Sequence, residues 1–352
     1  MLPWFILVNC IYSSVIFSSI VCGDVVNGER YLAKSAVMSM FNPVSSLYPG
    51  PCAYVAASRK QNHQCRKDAG LPRAVKDASQ LARTHCAEQF RYDRWNCSVE
   101  TRGKRNIYKK LYRETAFVHA LVAAALTHSI TRACSEGKMT KCTCVGGGVG
   151  GAAKSTSMAW RWGECNDNLK HGKRVTRRFL ELGQQNSGDQ VAEMLRHNSE
   201  VGIQAVATTM ANKCKCHGIS GSCSMKTCWR KLSSFNVTAE LLRKKYYQAI
   251  RKSPSNSTSR KRTGKVRKHK KKKKASPYTT LLYLETSPTF CSVTKGRRCL
   301  NPDNCSILCC GRGHTTFVER FVEKCRCRFK EPGSFKVICD SCKRTEDRFY
   351  CK

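Results

Sequence analysis

The stretch Cys214-Lys-Cys-His-Gly-Ile-Ser-Gly-Ser-Cys-Ser-Met-Lys-Thr-Cys-Trp229 places four cysteines within fifteen residues. These four can nest as two concentric bridges. Cys216 with Cys223 closes a six-residue loop, and Cys214 with Cys228 clamps its base. Inside the loop, Gly218 and Gly221 flank Ser220. Glycine permits a sharp turn and leaves the side chain beside it sterically open. The expected product is a rigid, projecting finger with a hydroxyl at its tip. Gly218-Ile-Ser220-Gly-Ser222 begins like the hydrolase pattern G-x-S-x-G but ends in Ser. That elbow needs a strand-to-helix turn, which a six-residue disulfide loop does not provide. His217 lies three residues away, so a secreted serine hydrolase using Ser220 stands as a rival class.

The rest of the chain agrees with a disulfide framework. Of 24 cysteines in 352 residues, Cys10 and Cys22 fall within the first 23, which leaves an even 22. Leu2 to Cys22 carries no charge and is apolar over Trp4–Val8 and Val15–Val21; polarity begins at Asp24. The pattern predicts a secretory signal peptide over 1–23. A high, even cysteine count behind such a signal reads as disulfides. Zinc is the competing reading. The spacings are mostly C-x-C (Cys142/Cys144, Cys214/Cys216, Cys325/Cys327), whereas structural zinc prefers C-x(2–4)-C or C…H sets. No metal and no soluble cofactor is expected. Four sequons, at Asn96, Asn236, Asn256 and Asn304, fit the same compartment as glycosylation sites.

Cysteine density divides the chain. Residues 52–228 hold 12 cysteines among helical patterns, and 291–352 hold 10 in 62 residues. A helical N-terminal domain is expected over 24–250, a basic linker over 251–277 and a small cysteine-rich domain over 278–352. The fold class is therefore α+β and disulfide-rich. Helical periods run over Ala74–Arg91, Glu114–Ala133, Leu169–Leu182, Gln190–Met210 and Leu241–Ile250, the last with Thr238 or Asn236 as cap. The apolar run Ala116–Leu126 is too short to span a membrane and reads as a core helix. The glycine-rich loop Val145–Gly151 lacks the Lys-Ser/Thr of a phosphate-cradling loop. The C-terminal block shows no helical period. Short runs such as Thr316–Val322 and Phe335–Ile338 predict hairpins stabilised by disulfides, each contributing about 2–4 kcal/mol.

Charge points to a partner. The 63 Lys and Arg against 24 Asp and Glu give +39, far more than solubility needs, so a polyanion is expected. Arg251 to Lys274 carries 13 basic residues and no acidic one. Inside a cell that run would suggest a nuclear signal or a nucleic-acid arm. Behind a signal peptide it points to heparan sulfate and not to nucleic acid.

The segment Cys214–Cys223 resembles the C-K-C-H-G-x-S-G-S-C signature of the Wnt family. Similar motifs recur along the mature chain at Arg94-Trp95-Asn96-Cys97, Tyr112–Ala116, Trp160–Asn168 and Cys309–Gly313. Local similarity leans toward the vertebrate subgroup numbered nine. The resemblance implies a secreted developmental ligand and not an enzyme. Ser220 would carry a palmitoleoyl ester added in the endoplasmic reticulum by Porcupine, and Wntless would carry the product outward. The lipid would occupy the cysteine-rich domain of a Frizzled receptor, beside contacts from His217, Gly218, Ile219 and Gly221. A low-density-lipoprotein-receptor-related co-receptor and heparan sulfate proteoglycans complete the implied partners. The implied locations are the extracellular space and matrix. A non-acylated cysteine-rich matrix protein remains a further alternative.

Spacing alone leaves the cysteine connectivity open. The resemblance implies Cys86–Cys97, Cys134–Cys142, Cys144–Cys165, Cys214–Cys228 and Cys216–Cys223. In the C-terminal domain it implies Cys291–Cys310, Cys299–Cys305, Cys309–Cys351, Cys325–Cys342 and Cys327–Cys339. Cys52 and Cys65 remain, and are expected to pair with each other. The chain departs from the family at one place. Most members have Trp-Cys-Cys at the tip of the hairpin between the positions of Cys327 and Cys339. Here the tip reads Phe329-Lys-Glu-Pro-Gly-Ser-Phe335. Both cysteines are absent together, so parity stays even, and Pro332-Gly333 suits a turn. Phe329 and Phe335 become the expected apolar tip of a second receptor contact.

Overall fold

The computed structural model describes residues 36–41, 50–53, 58–98, 110–143, 145–146, 165–183, 190–224, 226–252, 277–330 and 335–352. The signal-like segment, Cys144, most of the glycine loop, Asn256 and the basic residues 253–276 lie outside them. Two compact units emerge. The first comprises the described residues up to Gln89 and those from 110 to 287; the second joins Phe90–Ser98 to the described residues of 288–352.

The first unit is helical: α1 Ala36–Phe41, α2 Arg59–Arg66, α3 Leu71–Gln89, α4 Arg113–Ser135, α5 Leu169–Phe179, α6 Gln190–Thr208 and α7 Phe235–Tyr247. Helix α4 is apolar nearly all round, and such a helix belongs in a core. Its length and composition suit a membrane span, yet 94% of its apolar window is buried as α3, α5, α6 and α7 pack round it. The approach of α6 is close. A Cβ on Gly202 would lie 1.9 Å from the Ala120 carbonyl oxygen, so only glycine lets the two backbones meet. Helix α5 stops at Phe179, short of the expected Leu182, because Glu181 turns left-handed at φ 55°. Helix α7 starts earlier than expected. Asn236 and Thr238 lie inside it and Ser234 takes the cap position. Buried Thr238 pairs instead with Thr209 through their hydroxyls, 2.8 Å apart.

The start of α4 ties distant segments together. The Glu114 carboxylate, 3% exposed, accepts from the Tyr246 hydroxyl at 2.8 Å and from Ser287 Oγ at 2.6 Å. The Arg113 guanidinium lies over the rings of Tyr246 and Tyr283. Short strands also form here: β1 Val145–Gly146 pairs with β2 Cys165–Asn166, and β3 Ala211–Cys216 with β4 Lys226–Lys231. Strand β5 Ile250–Arg251 pairs in parallel with β6 Leu282–Tyr283. The segment after the basic stretch, placed in the second domain by its cysteine density, therefore belongs to the first unit as far as Ser287.

The second unit is built on β7 Arg298–Cys299, β8 His314–Phe329 and β9 Val337–Cys351, in the order β7-β9-β8. The expected short runs are thus one long antiparallel hairpin. A bulge sits between Cys325 and Arg328, where Arg326 adopts φ 48°. The unit also holds a helix that the sequence reading missed, α8 Pro302–Leu308, with Asn301 as N-cap and proline in its first turn. Asn-Pro-Asp is a good start signal, but seven residues show too little period to notice. Cys299, Cys305, Leu308, Cys309 and Cys351 form a small core. The sulfurs of Cys299, Cys305 and Cys309 lie within 4.8 Å of one another, but all three are oxidised in disulfides, which leaves none of them a thiolate to bind a metal. Residues 90–98 join this unit through Trp95, 4.7 Å edge-on to Phe90. Arg297 donates to the carbonyls of Arg94 and Arg91.

Disulfides join Cys52–Cys65, Cys134–Cys142, Cys214–Cys228 and Cys216–Cys223 in the first unit. In the second they join Cys291–Cys310, Cys299–Cys305, Cys309–Cys351, Cys325–Cys342 and Cys327–Cys339. Cys86, Cys97 and Cys165 are disulfide-bonded as well.

Candidate functional site

The finger is the hairpin β3–β4. Cys214 faces Cys228 across the ladder and Cys216 faces Lys226. The two disulfides lie one inside the other, so both ends of the tip are covalently closed. Within the tip, Gly218 N donates to Ser222 O at 2.8 Å, Gly221 N to Gly218 O at 3.0 Å and Ser222 N to Ile219 O at 3.1 Å. The turn therefore satisfies its own backbone and presents its side chains outward.

Ser220 is exposed and adopts φ 56°, ψ 26°, a left-handed conformation unusual for a non-glycine residue. The two glycines serve different ends. Gly221 supplies a second positive φ, 77°. Gly218 has an ordinary φ of −75° but no room, since a Cβ would meet Ser222 Oγ at 2.0 Å and Ser222 O at 2.5 Å. Ile219 beside Ser220 is 92% exposed, an apolar side chain offered to solvent. The ring of His217 sits with Nε2 2.9 Å from Thr227 Oγ1, which orients it toward β4. Ser220 is at the tip of a two-stranded hairpin, so the strand-to-helix elbow of a hydrolase is not formed here.

The root of the finger is held by residues far away in sequence. Asn166 Oδ1 accepts from Arg230 N at 2.7 Å, and Asp167 Oδ2 accepts from Leu232 N at 2.7 Å. Asp167 N donates to Arg230 O at 2.9 Å. Asn168 caps α5 by accepting from His171 N. Below them, His128 Nε2 lies 3.1 Å from Ser233 O, and the Ser233 hydroxyl donates to Thr209 O.

Phe329 and Phe335 lie in the second unit, 67% and 99% exposed. They flank the end of the β8–β9 ladder, whose last pair is Phe329 with Val337. Residues 331–334 lie outside the described residues. Asn96 and Asn236 are exposed. Asn304 is half-buried, and its Nδ2 donates to Tyr92 O at 3.1 Å.

The Wnt family model matches residues 54–352. The chain belongs to the Wnt family. It is 58% identical over 330 residues to Protein Wnt-4 of Drosophila melanogaster, with 92% of this chain and 60% of that relative covered. It spans less than two thirds of that relative's length. Protein Wnt-9b of Mus musculus is 37% identical, with 86% of this chain and 84% of the relative covered. Among solved structures, a chain of human WLS in complex with WNT8A aligns with TM-score 0.53 and 30% identity, covering 80% of this chain and 94% of that one.

Within this Wnt frame the recurrent motifs take physical roles. Arg113 and Glu114 staple α4 to α7 and β6. Trp95 anchors 90–98 in the second unit. Asn166 and Asp167 hold the finger upright. The sequence reading used these last two only to recognise the family. Two adjacent amide- or carboxylate-bearing residues before a helix cap gave no local sign that they bind a strand some 65 residues away.

Proposed function

We propose that this Wnt-family chain is a secreted signalling ligand carrying a palmitoleoyl ester on Ser220. The observation that supports this reading is the exposed Ser220 hydroxyl at the tip of a hairpin closed by two nested disulfides. A projecting hydroxyl on a rigid support can enter another protein's active site, which suits modification by Porcupine. Each buried methylene of an acyl chain is worth about 0.8 kcal/mol, yet a single chain holds only marginally and reversibly to a membrane. Such a lipid can pass from carrier to receptor. Wntless fits the carrier role, given the likeness to a chain of a WLS–WNT8A complex. The Frizzled cysteine-rich domain fits the receptor role, with His217, Gly218, Ile219 and Gly221 around the lipid. Phe329 and Phe335 form the second receptor contact, in place of the Trp-Cys-Cys tip. A low-density-lipoprotein-receptor-related protein serves as co-receptor, and heparan sulfate proteoglycans retain the basic chain in the matrix. Occupied sequons add glycan on the secretory route.

The test is mass spectrometry of the disulfide-linked 216–223 peptide from protein secreted with and without Porcupine activity. A palmitoleoyl-sized addition on Ser220 is expected, absent without Porcupine and absent in Ser220→Ala, which should also lose receptor binding. An unmodified Ser220 in an active, secreted protein overturns the reading.

A further inference from the structure

The first unit contains a cleft unrelated to the finger. It lies where α2, α5 and α6 meet the segment around Tyr278, and its volume is about 730 Å³, within the roughly 300–1,000 Å³ of ordinary ligand sites. Cations enter it from three helices: Arg59 and Lys60 from α2, Arg177 and Arg178 from α5, and Arg196 from α6. Two carboxylates also line it, but each has a partner. Glu200 takes Arg177 in a two-pronged pair at 2.6 and 2.7 Å. Glu181 accepts the Ser58 hydroxyl at 2.5 Å. Arg178 and Arg196 form no ion pair among the described residues. The cleft therefore holds more positive charge than its own acids neutralise. Burial and the neighbouring Arg177 depress the nearby Lys173 ammonium as well, as expected where positive charge accumulates.

The walls add a second requirement. Leu182 and Tyr278 line the same cleft, and the Tyr278 ring is fixed 5.3 Å from the ring of His197. His197 is itself set by Nε2, 2.9 Å from Thr280 O. A concave site excludes a flat membrane surface but admits a narrow chain. Guanidinium groups match planar or tetrahedral oxyanions with two parallel donors, and a fixed aromatic face suits the C–H face of a pyranose.

We propose that this cleft is a binding site for a sulfated oligosaccharide, with Arg178 and Arg196 on the sulfates and Tyr278 against a sugar ring. The proposal rests on the extracellular polyanion reading above and gives it a built site inside the folded unit, made of residues other than those of the basic stretch 251–274. Both sources of positive charge attract a polyanion, so the test removes the stretch first. In full-length secreted protein with the basic residues of 251–274 changed to Gln or Ser, binding of a size-defined heparin octasaccharide is measured across a salt series. The expected result is retained binding that falls about tenfold or more in R178Q/R196Q, the loss of two charge-assisted contacts. The charge-matched K76Q/R83Q pair on α3 should change it little. Tyr278→Ala should weaken binding without altering the salt slope, since that slope counts ionic contacts. Unchanged thermal midpoints establish that the variants fold. Equal losses in R178Q/R196Q and K76Q/R83Q overturn the cleft, as does binding that vanishes with the basic stretch alone. Equal affinity for the desulfated octasaccharide overturns the sulfate assignment. If the parent protein binds no heparin at all, the polyanion reading itself fails.

Discussion

Ser220 and Gly218 illustrate what a single residue decides in this protein. Ser220 gains its exposure by turning left-handed at φ 56°, and the bond from Gly218 N to Ser222 O closes the turn beneath it. Gly218→Ala would place a methyl 2.5 Å from Ser222 O. A side-chain hydroxyl can swing away, but a backbone carbonyl cannot. The turn must open, at a cost on the order of 1–3 kcal/mol confined to the tip by the Cys216–Cys223 bridge. The expected outcome is loss of the acyl addition on Ser220, by peptide mass spectrometry, with a fall of no more than about 10 °C in the thermal midpoint of a protein that still folds. Full acylation of Gly218→Ala would mean that the tip's shape is not read. The sequence revealed the glycines and the serine. It did not reveal that one glycine is needed for its φ and the other for lack of space.

At the scale of elements, the finger is a strand pair held at its root by a loop. Asp167, 9% exposed, accepts from Leu232 N. Asp167→Ala leaves that donor without its carboxylate, a loss worth about 1–3 kcal/mol. The amides of β3 and β4 should then exchange with solvent faster, while those of α4 keep their protection. Hydrogen exchange by mass spectrometry separates the two. If β3 and β4 keep their protection, the disulfides alone hold the hairpin. The close crossing of α6 over α4 offers a contrasting case. Gly202→Val sets side-chain atoms against the Ala120 backbone, where overpacking costs about 1–3 kcal/mol or more, and should lower the global midpoint, with the finger affected only through the loss of the whole unit. Helical periods showed α4 and α6 in the sequence. The contact between them depends on one glycine whose importance no periodicity reveals.

The whole molecule carries a pH dependence in its core. Burial pushes the imidazole of His119, on α4, down to about 3, so it is neutral in the folded chain. An unfolded chain takes up that proton near pH 6.5. Between about 3 and 6.5 the unfolded state binds more protons, so stability is greatest above this window and falls as pH drops through it. At about pH 5 the single group lowers stability by about 2 kcal/mol. His128 and His171, both depressed mainly by burial, act in the same direction. Urea midpoints of the secreted protein should therefore fall between about pH 7.5 and pH 5, and His119→Leu should remove about 2 kcal/mol of the difference. An unchanged pH dependence in that variant would place the acid sensitivity elsewhere.

Features carried by near neighbours in the chain were legible in the sequence. The even cysteine count, the nested spacing around Ser220, the amphipathic periods and the basic run are each visible within a short window. They were enough for the α+β, disulfide-rich class, the family resemblance and the residue at the tip. The tertiary structure decided what depends on distant partners. It placed 90–98 with the second unit and 277–287 with the first, set Asn166 and Asp167 under the finger, and gathered arginines from separate helices into one cleft. The physical reason is the same in each case. Burial and hydrogen bonding are settled by whichever segments fold against one another, and that pairing leaves no trace within a window of a few residues.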